Sequence, residues 1–314
     1  MSKHLISHLF QSVLTLWAAF TIAFVLLQAL PGDAVLIKFL ASDFGLTPEQ
    51  ITELQQTYGV NLPLWQKYFH ELGAIFTGNL GFSVQAGLPV SQVIATNLPP
   101  TLLLASLGFT AAIVLALSVA FLSAFTCFSW LRQALHALPS LFVSVPVFWL
   151  GIVLIQIVSF QLGLIPVINP GHWEGLILPT IALAIPISAP IAQILIRNIE
   201  ATLLLPHVAV ARAKGASHVW VLWHHVARNA VLPTLTMAGL LFGELLAGAV
   251  VTETVFGLSG LGSLTQQAVN NQDTAVLKAI VIISAAIFIT INLIVDLLYP
   301  ILDPRLRVAQ EARP

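Results

Sequence analysis

Six cationic or titratable side chains, Arg212, Lys214, His218, His224, His225 and Arg228, gather around Gly215 in a chain that has only 12 Lys+Arg in all. A cationic rim of this kind has no nucleophile and no paired acid and base, so it either docks in a groove on a partner or only sets membrane topology. His224 and His225 are adjacent, and adjacent residues on a helix point about 100° apart, which makes a poor chelate. Glu244, within a long apolar run, is the other ionisable group whose position demands a reason. The chain lacks a G-x-x-x-x-G-K-[ST] phosphate loop and an H-E-x-x-H pair. Gly257-Leu-Ser-Gly-Leu-Gly262 does not have nucleophile-elbow spacing and reads as a tight turn with close helix contact. No catalytic residue, metal site or bound cofactor is therefore expected on this chain. Cys127, the single cysteine, excludes an intrachain disulfide. His172, alone in a short connection, is not read as a ligand.

The elements that position these residues follow from composition. Of 314 residues, 58% are hydrophobic and 8% charged, with a mean hydropathy of +0.94. Soluble domains carry about 25% charge, so this chain belongs in a bilayer. Its net charge of −1 gives no basis for a nucleic-acid partner. A span needs about 20 apolar residues, and only helices or closed barrels can cross lipid. Six helical spans are expected, over about 9–32, 102–125, 141–161, 175–196, 233–253 and 279–298, in a single all-α polytopic domain of residues 1–314. The first run exceeds the usual 7–15-residue core of a signal peptide and no clean cleavage site follows, so it is read as a retained span.

With the N-terminus inside, nine of the twelve Lys+Arg fall in inner segments: Lys3, Arg132, Arg197, Arg212, Lys214, Arg228, Arg305, Arg307 and Arg313. Lys38, Lys67 and Lys278 fall outside. By the positive-inside rule both termini are then cytoplasmic. In the outer loop, 33–100, Thr47-Pro48-Glu49-Gln50 reads as a helix start ending by Gly59. Pro63 to Phe76, with Trp65, Tyr68, Phe69 and Phe76, suits an amphipathic helix at the interface. The simplest role for that loop is a cap without ligand contact.

The inner segment 197–232 carries the cationic cluster. Pro206 should break the descending helix, His207 to Lys214 form a short helix, Gly215 turn it, and Ser217 cap a second one. That second helix has Val219, Leu222 and Val226 as an apolar stripe. Two readings stand: a docking knob, or a loop whose charge only sets topology. Along span five, Gly239, Gly243 and Ala247 form small-xxx-small spacing for close helix contact, with Gly248 one turn beyond Glu244. Pro146, Pro186 and Pro190 should bend spans three and four.

The segment His207-Val-Ala-Val-Ala-Arg-Ala-Lys-Gly215, followed by Arg228-Asn229-Ala230 and Leu232-Pro233, resembles the EAA loop of binding-protein-dependent ABC importer permeases, in its dipeptide, oligopeptide and nickel form. Further segments match in order: Pro31-Gly32-Asp33, Gly78-Asn-Leu-Gly-Phe-Ser83, Leu98-Pro99-Pro100-Thr101-Leu102, Val145-Pro146-Val147-Phe148-Trp149 and Leu162-Gly-Leu-Ile-Pro166. Gly243-Glu244-Leu245, Glu253-Thr254-Val255-Phe256, Gly260-Leu261-Gly262 and Asp303-Pro304-Arg305 complete the set. Three departures stand out. The acidic position that names the motif is Ala209, Ser259 replaces a proline before Gly-Leu-Gly, and Ser129 to Gln133 has lost most of its basic residues.

The resemblance implies a permease subunit in a bacterial inner membrane, working with a second homologous permease, two cytoplasmic ABC ATPases and an extracytoplasmic solute-binding protein. ATP and Mg would be used by the ATPases, not by this chain. Ala211, Arg212, Ala213, Lys214, Gly215, Ala216, Ser217 and His218 would couple to the ATPase. Glu244, Gly243, Gly239 and Gly248 are expected to line the translocation pathway or the permease interface. Short peptides, nickel or another metal chelate, and opine metallophores are all carried by relatives. An ion-coupled secondary carrier is the alternative, with Glu244 as its midplane acid.

Overall fold

The computed structural model describes residues 2–29, 63–83, 85–168 and 170–302; side chains of 2–9, 228, 232, 236 and 296–302 are not described. The Thr47–Gly59 helix, the Pro31-Gly32-Asp33 and Asp303-Pro304-Arg305 motifs, and several counted cations lie outside the described residues. The helices are α1 (Ser2–Gln28), α2 (Leu64–Phe76), α3 (Val90–Phe125), α4 (Ser129–Val143), α5 (Val147–Leu154, continuing as π-helix Ile155–Gln161), α6 (Glu174–Leu203) and α7 (Pro206–Ala213). They continue with α8 (His218–Val221, then π-helix Leu222–Ala227), α9 (Arg228–Phe256), α10 (Leu261–Asn270) and α11 (Thr274–Leu302). A two-residue hairpin pairs β1 (Phe82–Ser83) with β2 (Leu88–Pro89). Parts of α1, α3, α6, α9 and α11 are each long and apolar enough to cross a membrane, and the pair α4–α5 makes a sixth span if its halves count as one.

Two compact units form. The first comprises Met1–Thr101 and Leu258–Ile289. Here α2 is the amphipathic helix expected over 63–76, and it is fastened on two sides. Tyr68 packs against Phe20 and Phe24 of α1, with centroids at 5.5 and 5.3 Å, and its hydroxyl lies 2.9 Å from Thr21 Oγ1. Glu71 pairs with Lys278 of α11 at 2.5 Å, while Leu64, Trp65, Phe69 and Phe76 stay exposed. Beneath the hairpin, Val90, Ile94, Leu261, Ala268, Val276 and Ile280 form a buried cluster. The turn expected at Gly257–Gly262 is present: Gly257 takes φ +64° as the cap of α9, and Gly260 precedes α10.

The second unit comprises Leu102–Gly257 and Thr290–Pro314. Its centre is the packing of α9 against α6. Leu183 of α6 is 1% exposed, and two glycines close on it. A Cβ added at Gly108 of α3 would come 3.2 Å from Leu183 Cβ, and one at Gly248 of α9 would come 3.3 Å from Leu183 Cδ2. At the end of α9, Val255 and Phe256 similarly crowd Gly151 of α5, at 3.2 and 3.1 Å from an added Cβ.

Three expected segments take a more specific form. The bend expected at Pro146 is sharp: the stretch 141–161 is divided between α4 and α5, which meet at 103°. Pro146 has no N–H to continue the helix and is itself extended, at φ −63° and ψ 137°, as the cap of α5. By contrast, α6 runs unbroken through Pro179, Pro186 and Pro190. The span expected from 102 starts at Val90, with Pro99 and Pro100 inside the helix. Finally, 197–232 holds the two short helices expected around Gly215, but the second does not stop before span five. The first residues of the segment end α6, and helix continues from His218 through a π segment into α9, with Pro233 inside. Proline is tolerated in such helices because π adjustments and neighbouring groups take up freed backbone positions.

Asp273, 3% exposed, holds the hairpin to the start of α11: it accepts from Ser83 Oγ at 2.5 Å and from the Val276 N–H at 3.3 Å. Losing a helix cap together with a buried hydrogen bond costs about 2 kcal/mol. Asp273→Ala should therefore lower the thermal midpoint of the detergent-solubilised chain, with Asp273→Asn falling between it and the parent.

Candidate functional site

The cationic segment folds as an elbow of two short helices. Pro206 occupies the first position of α7, where its missing N–H is not needed. The helix ends in a Schellman motif: Gly215 N–H donates to Arg212 O at 2.9 Å and Ala216 N–H to Ala211 O at 3.1 Å. Gly215 itself sits at φ +87°, and an added Cβ there would meet nothing within 4 Å. Its requirement for glycine is thus conformational, not steric. Ser217 then caps α8, its hydroxyl accepting from Trp220 N–H at 3.3 Å. Each step of the turn read from the sequence has a local cause.

The elbow's surface differs from the predicted stripe. Leu222 and Val226 are buried, as is Val221, but Val219 is 54% exposed. The π segment shifts the register after Val221, so a simple i, i+3, i+7 count puts Val219 on the wrong face. Arg212, Ala213, Lys214, Gly215, Ser217 and His218 are exposed, Ala211 and Ala216 half-buried. Behind the tip is an open concavity of about 720 Å³, bordered by His207, Lys214, Trp220 and His225. The His207 and His225 rings lie 5.6 Å apart, and Trp220 stacks on His224 with centroids at 4.5 Å. Among the described residues no three His, Cys, Asp or Glu side chains come together as a metal site would require.

The C-terminal end of α3 meets the elbow, a feature not legible in the sequence pattern. His218 Nε2 lies 2.9 Å from the Ala124 carbonyl oxygen, and Trp223 stacks on Phe121 at 5.4 Å with 15° between planes. Only the aromatic enrichment at 121, 125, 220 and 223 could have hinted at it.

The second group of predicted residues lies along α9 and divides. Glu244 is exposed, near the middle of the spanning stretch Asn229–Phe256. It belongs to a face of Leu240, Glu244, Ala247, Val251 and Thr254, all exposed, at alternating four- and three-residue steps. Gly243 is half-buried. Gly239 and Gly248 pack inside this chain: an added Cβ at Gly239 would come 3.0 Å from Val295 Cγ2 of α11, and Gly248 faces Leu183. The acid buried in α9 is Glu253, 1% exposed, which the sequence reading treated only as part of a motif.

Comparison with known proteins agrees with this architecture. Residues 112–308 match the family described as binding-protein-dependent transport system inner membrane component, and residues 1–105 match the N-terminal region of such membrane components. The chain is 34% identical over 292 residues to a protein of Sinorhizobium fredii named probable peptide ABC transporter permease protein y4tP, covering 90% of this chain and 92% of that one. It is 33% identical over 309 residues to the glutathione transport system permease protein GsiC of Escherichia coli, covering 98% and 99%. Among solved structures, an amino acid ABC transporter with histidines aligns at a TM-score of 0.54 and 21% identity, over 67% of this chain and 94% of that one. The methionine transporter MetNI, in inward-facing form, aligns at 0.55 and 18%, over 68% and 97%. At that identity the likeness speaks for the fold alone. This predominantly helical, multi-span chain belongs to the family of binding-protein-dependent transport system inner-membrane components, the permeases of ABC importers.

Proposed function

We propose that this chain is one of two permease subunits in an ATP-driven importer of short peptides, glutathione-like tripeptides among them. On this reading a solute-binding protein delivers cargo on the outer side, a second homologous permease completes the pathway, and two cytoplasmic ATPases supply the energy. The observation that carries it is the exposed α7–Gly215–α8 elbow, a rigid cationic projection joined without a break to the spanning helix α9. A displacement of the elbow would be delivered directly to that helix, a rigid-body route to alternating access. The nine-to-three division of Lys+Arg supports the elbow and both termini facing the cytoplasm. The peptide class is supported by the relatives' names, since full-length similarity runs to a probable peptide permease and to a glutathione permease.

Cells lacking the chain, complemented with it, test the reading. Labelled di- and tripeptides including glutathione should be taken up, uptake should fail on ATP depletion, and it should survive collapse of the proton gradient. Uptake of chelated nickel but not peptide would overturn the cargo class. Loss on gradient collapse at normal ATP would favour an ion-coupled carrier.

The elbow supplies its own test. A β-branched residue in the left-handed region costs roughly 1–2 kcal/mol locally, too little to unfold a multi-span protein but enough to change the elbow. Gly215→Val should insert normally yet lose ATPase attachment or hydrolyse ATP without import. Gly215→Asn, tolerant of that region, should retain most transport.

Glu244 is assigned to the pathway or the permease interface, because this chain leaves it exposed at mid-membrane depth where a carboxylate costs roughly 2.5–3.5 kcal/mol without water or a partner. A carboxylate about 10 Å from a cation at an effective dielectric of about 20 contributes about 1.7 kcal/mol. Glu244→Gln should therefore slow uptake of cationic peptides roughly tenfold and spare neutral ones. Normal transport by Glu244→Gln, with dissociation of the permease pair in Glu244→Ala, would make the residue a clamp between subunits instead.

A further inference from the structure

A coupling elbow moves its own spanning helix through the continuous backbone, but α3 has no covalent route to it nearby. The structure provides a side-chain route at the inner end of α3. That helix ends at Phe125, so its last carbonyls lack intrahelical partners. The Leu122 carbonyl accepts from Thr126 N–H at 3.0 Å. The Ala124 carbonyl faces His218 Nε2 at 2.9 Å. A carbonyl oxygen can only accept, so Nε2 carries the proton in this contact, in the neutral ring or the charged one. A histidine at a helix C-terminus also complements the macrodipole.

Two ring contacts flank the hydrogen bond. Phe125 meets the His218 ring edge-on at 6.5 Å, and Phe121, one turn earlier on α3, stacks on Trp223 at 5.4 Å. His218 opens α8 and Trp223 lies in the π segment that follows, so the two attachments straddle the start of the second elbow helix. With one attachment α3 could swivel against the elbow; with two, separated along both helices, it is held in orientation.

From this geometry we propose that His218 and Trp223 latch the inner end of α3 to the coupling elbow, so that displacement of the elbow drives two spanning helices, α3 and α9, as one body. His218 is then a positioning residue that acts within the permease and not by gripping the ATPase. This rests on the elbow being the coupling element, and it adds the load to which the elbow is attached.

The test uses the assembled complex of permeases and ATPases reconstituted in liposomes with its binding protein, reading peptide import, ATP consumed per peptide, and ATPase retention together. His218→Ala should retain the ATPases but raise ATP consumed per peptide roughly fivefold or more, a coupling loss of the usual allosteric size. His218→Gln, whose amide nitrogen can occupy the Nε2 position and donate to the Ala124 carbonyl, should restore the ratio. Trp223→Leu, which removes the ring and leaves the hydrogen bond, should show the same loss in smaller degree. An unchanged ratio in His218→Ala, or failure of His218→Gln to restore it, overturns the latch. Release of the ATPases from His218→Ala overturns it too, while leaving the coupling reading intact, because His218 would then be a docking residue. Should His218→Ala fail to insert, the ratio in Trp223→Leu decides alone: a rise supports the latch and no change refutes it.

Discussion

The approach of α3 and α9 to a single leucine of α6 governs the second unit. In lipid there is no hydrophobic gain from bringing helices together, since the acyl chains are as apolar as the side chains; association comes from close packing. Leu183 has Gly108 on one side and Gly248 on the other, each so near that an added Cβ would press on it. Absence of a side chain at those positions brings backbone and leucine into van der Waals range. The same device recurs where Gly151 receives Phe256 and where Gly239 receives Val295. With one side of α9 committed to these contacts, the side bearing Leu240, Glu244, Ala247 and Val251 remains open. The exposure of Glu244 is thus a consequence of how the glycines are spent.

The elbow depends on a different kind of constraint, local and hydrogen-bonded. Pro206, the Schellman turn at Gly215 and the Ser217 cap satisfy backbone groups within a few residues of chain. This gives the projection a shape of its own, and on the proposed coupling role that shape reduces the ordering cost of docking. The absence of an acid at Ala209 and the exposed Arg212 and Lys214 leave its tip positively charged. Such a surface complements an acidic groove better than a neutral one.

In the first unit, polar groups hold what the lipid cannot. Tyr68 joins α2 to α1 through ring contacts and a hydroxyl, Glu71 joins it to Lys278, and Asp273 ties the hairpin to the start of α11. At these places aromatic and charged residues join segments far apart in the chain. The aromatic, amphipathic character of 63–76 was legible because interfacial helices are selected for it. Which residues meet it was not, since the partners lie up to 207 positions away in the chain.

Hydropathy alone determined the class of fold and the course of most of its apolar helices, because a backbone in hydrocarbon must satisfy its hydrogen bonds within each apolar run, a condition local in sequence. The elbow was determined in the same way, since proline, glycine and a serine cap act over four or five residues. Tertiary structure alone decided the continuity of the elbow with α9 and the burial of Glu253 against the exposure of Glu244, and it set at 103° the bend that Pro146 announces in the sequence. It also decided that Gly239 and Gly248 pack within the chain and that His218 reaches the end of α3. These depend on the rotation of each helix about its own axis. That rotation is set by the simultaneous fit of side chains from several distant segments, and a π turn such as Leu222–Ala227 shifts it without leaving a mark in the hydrophobic pattern.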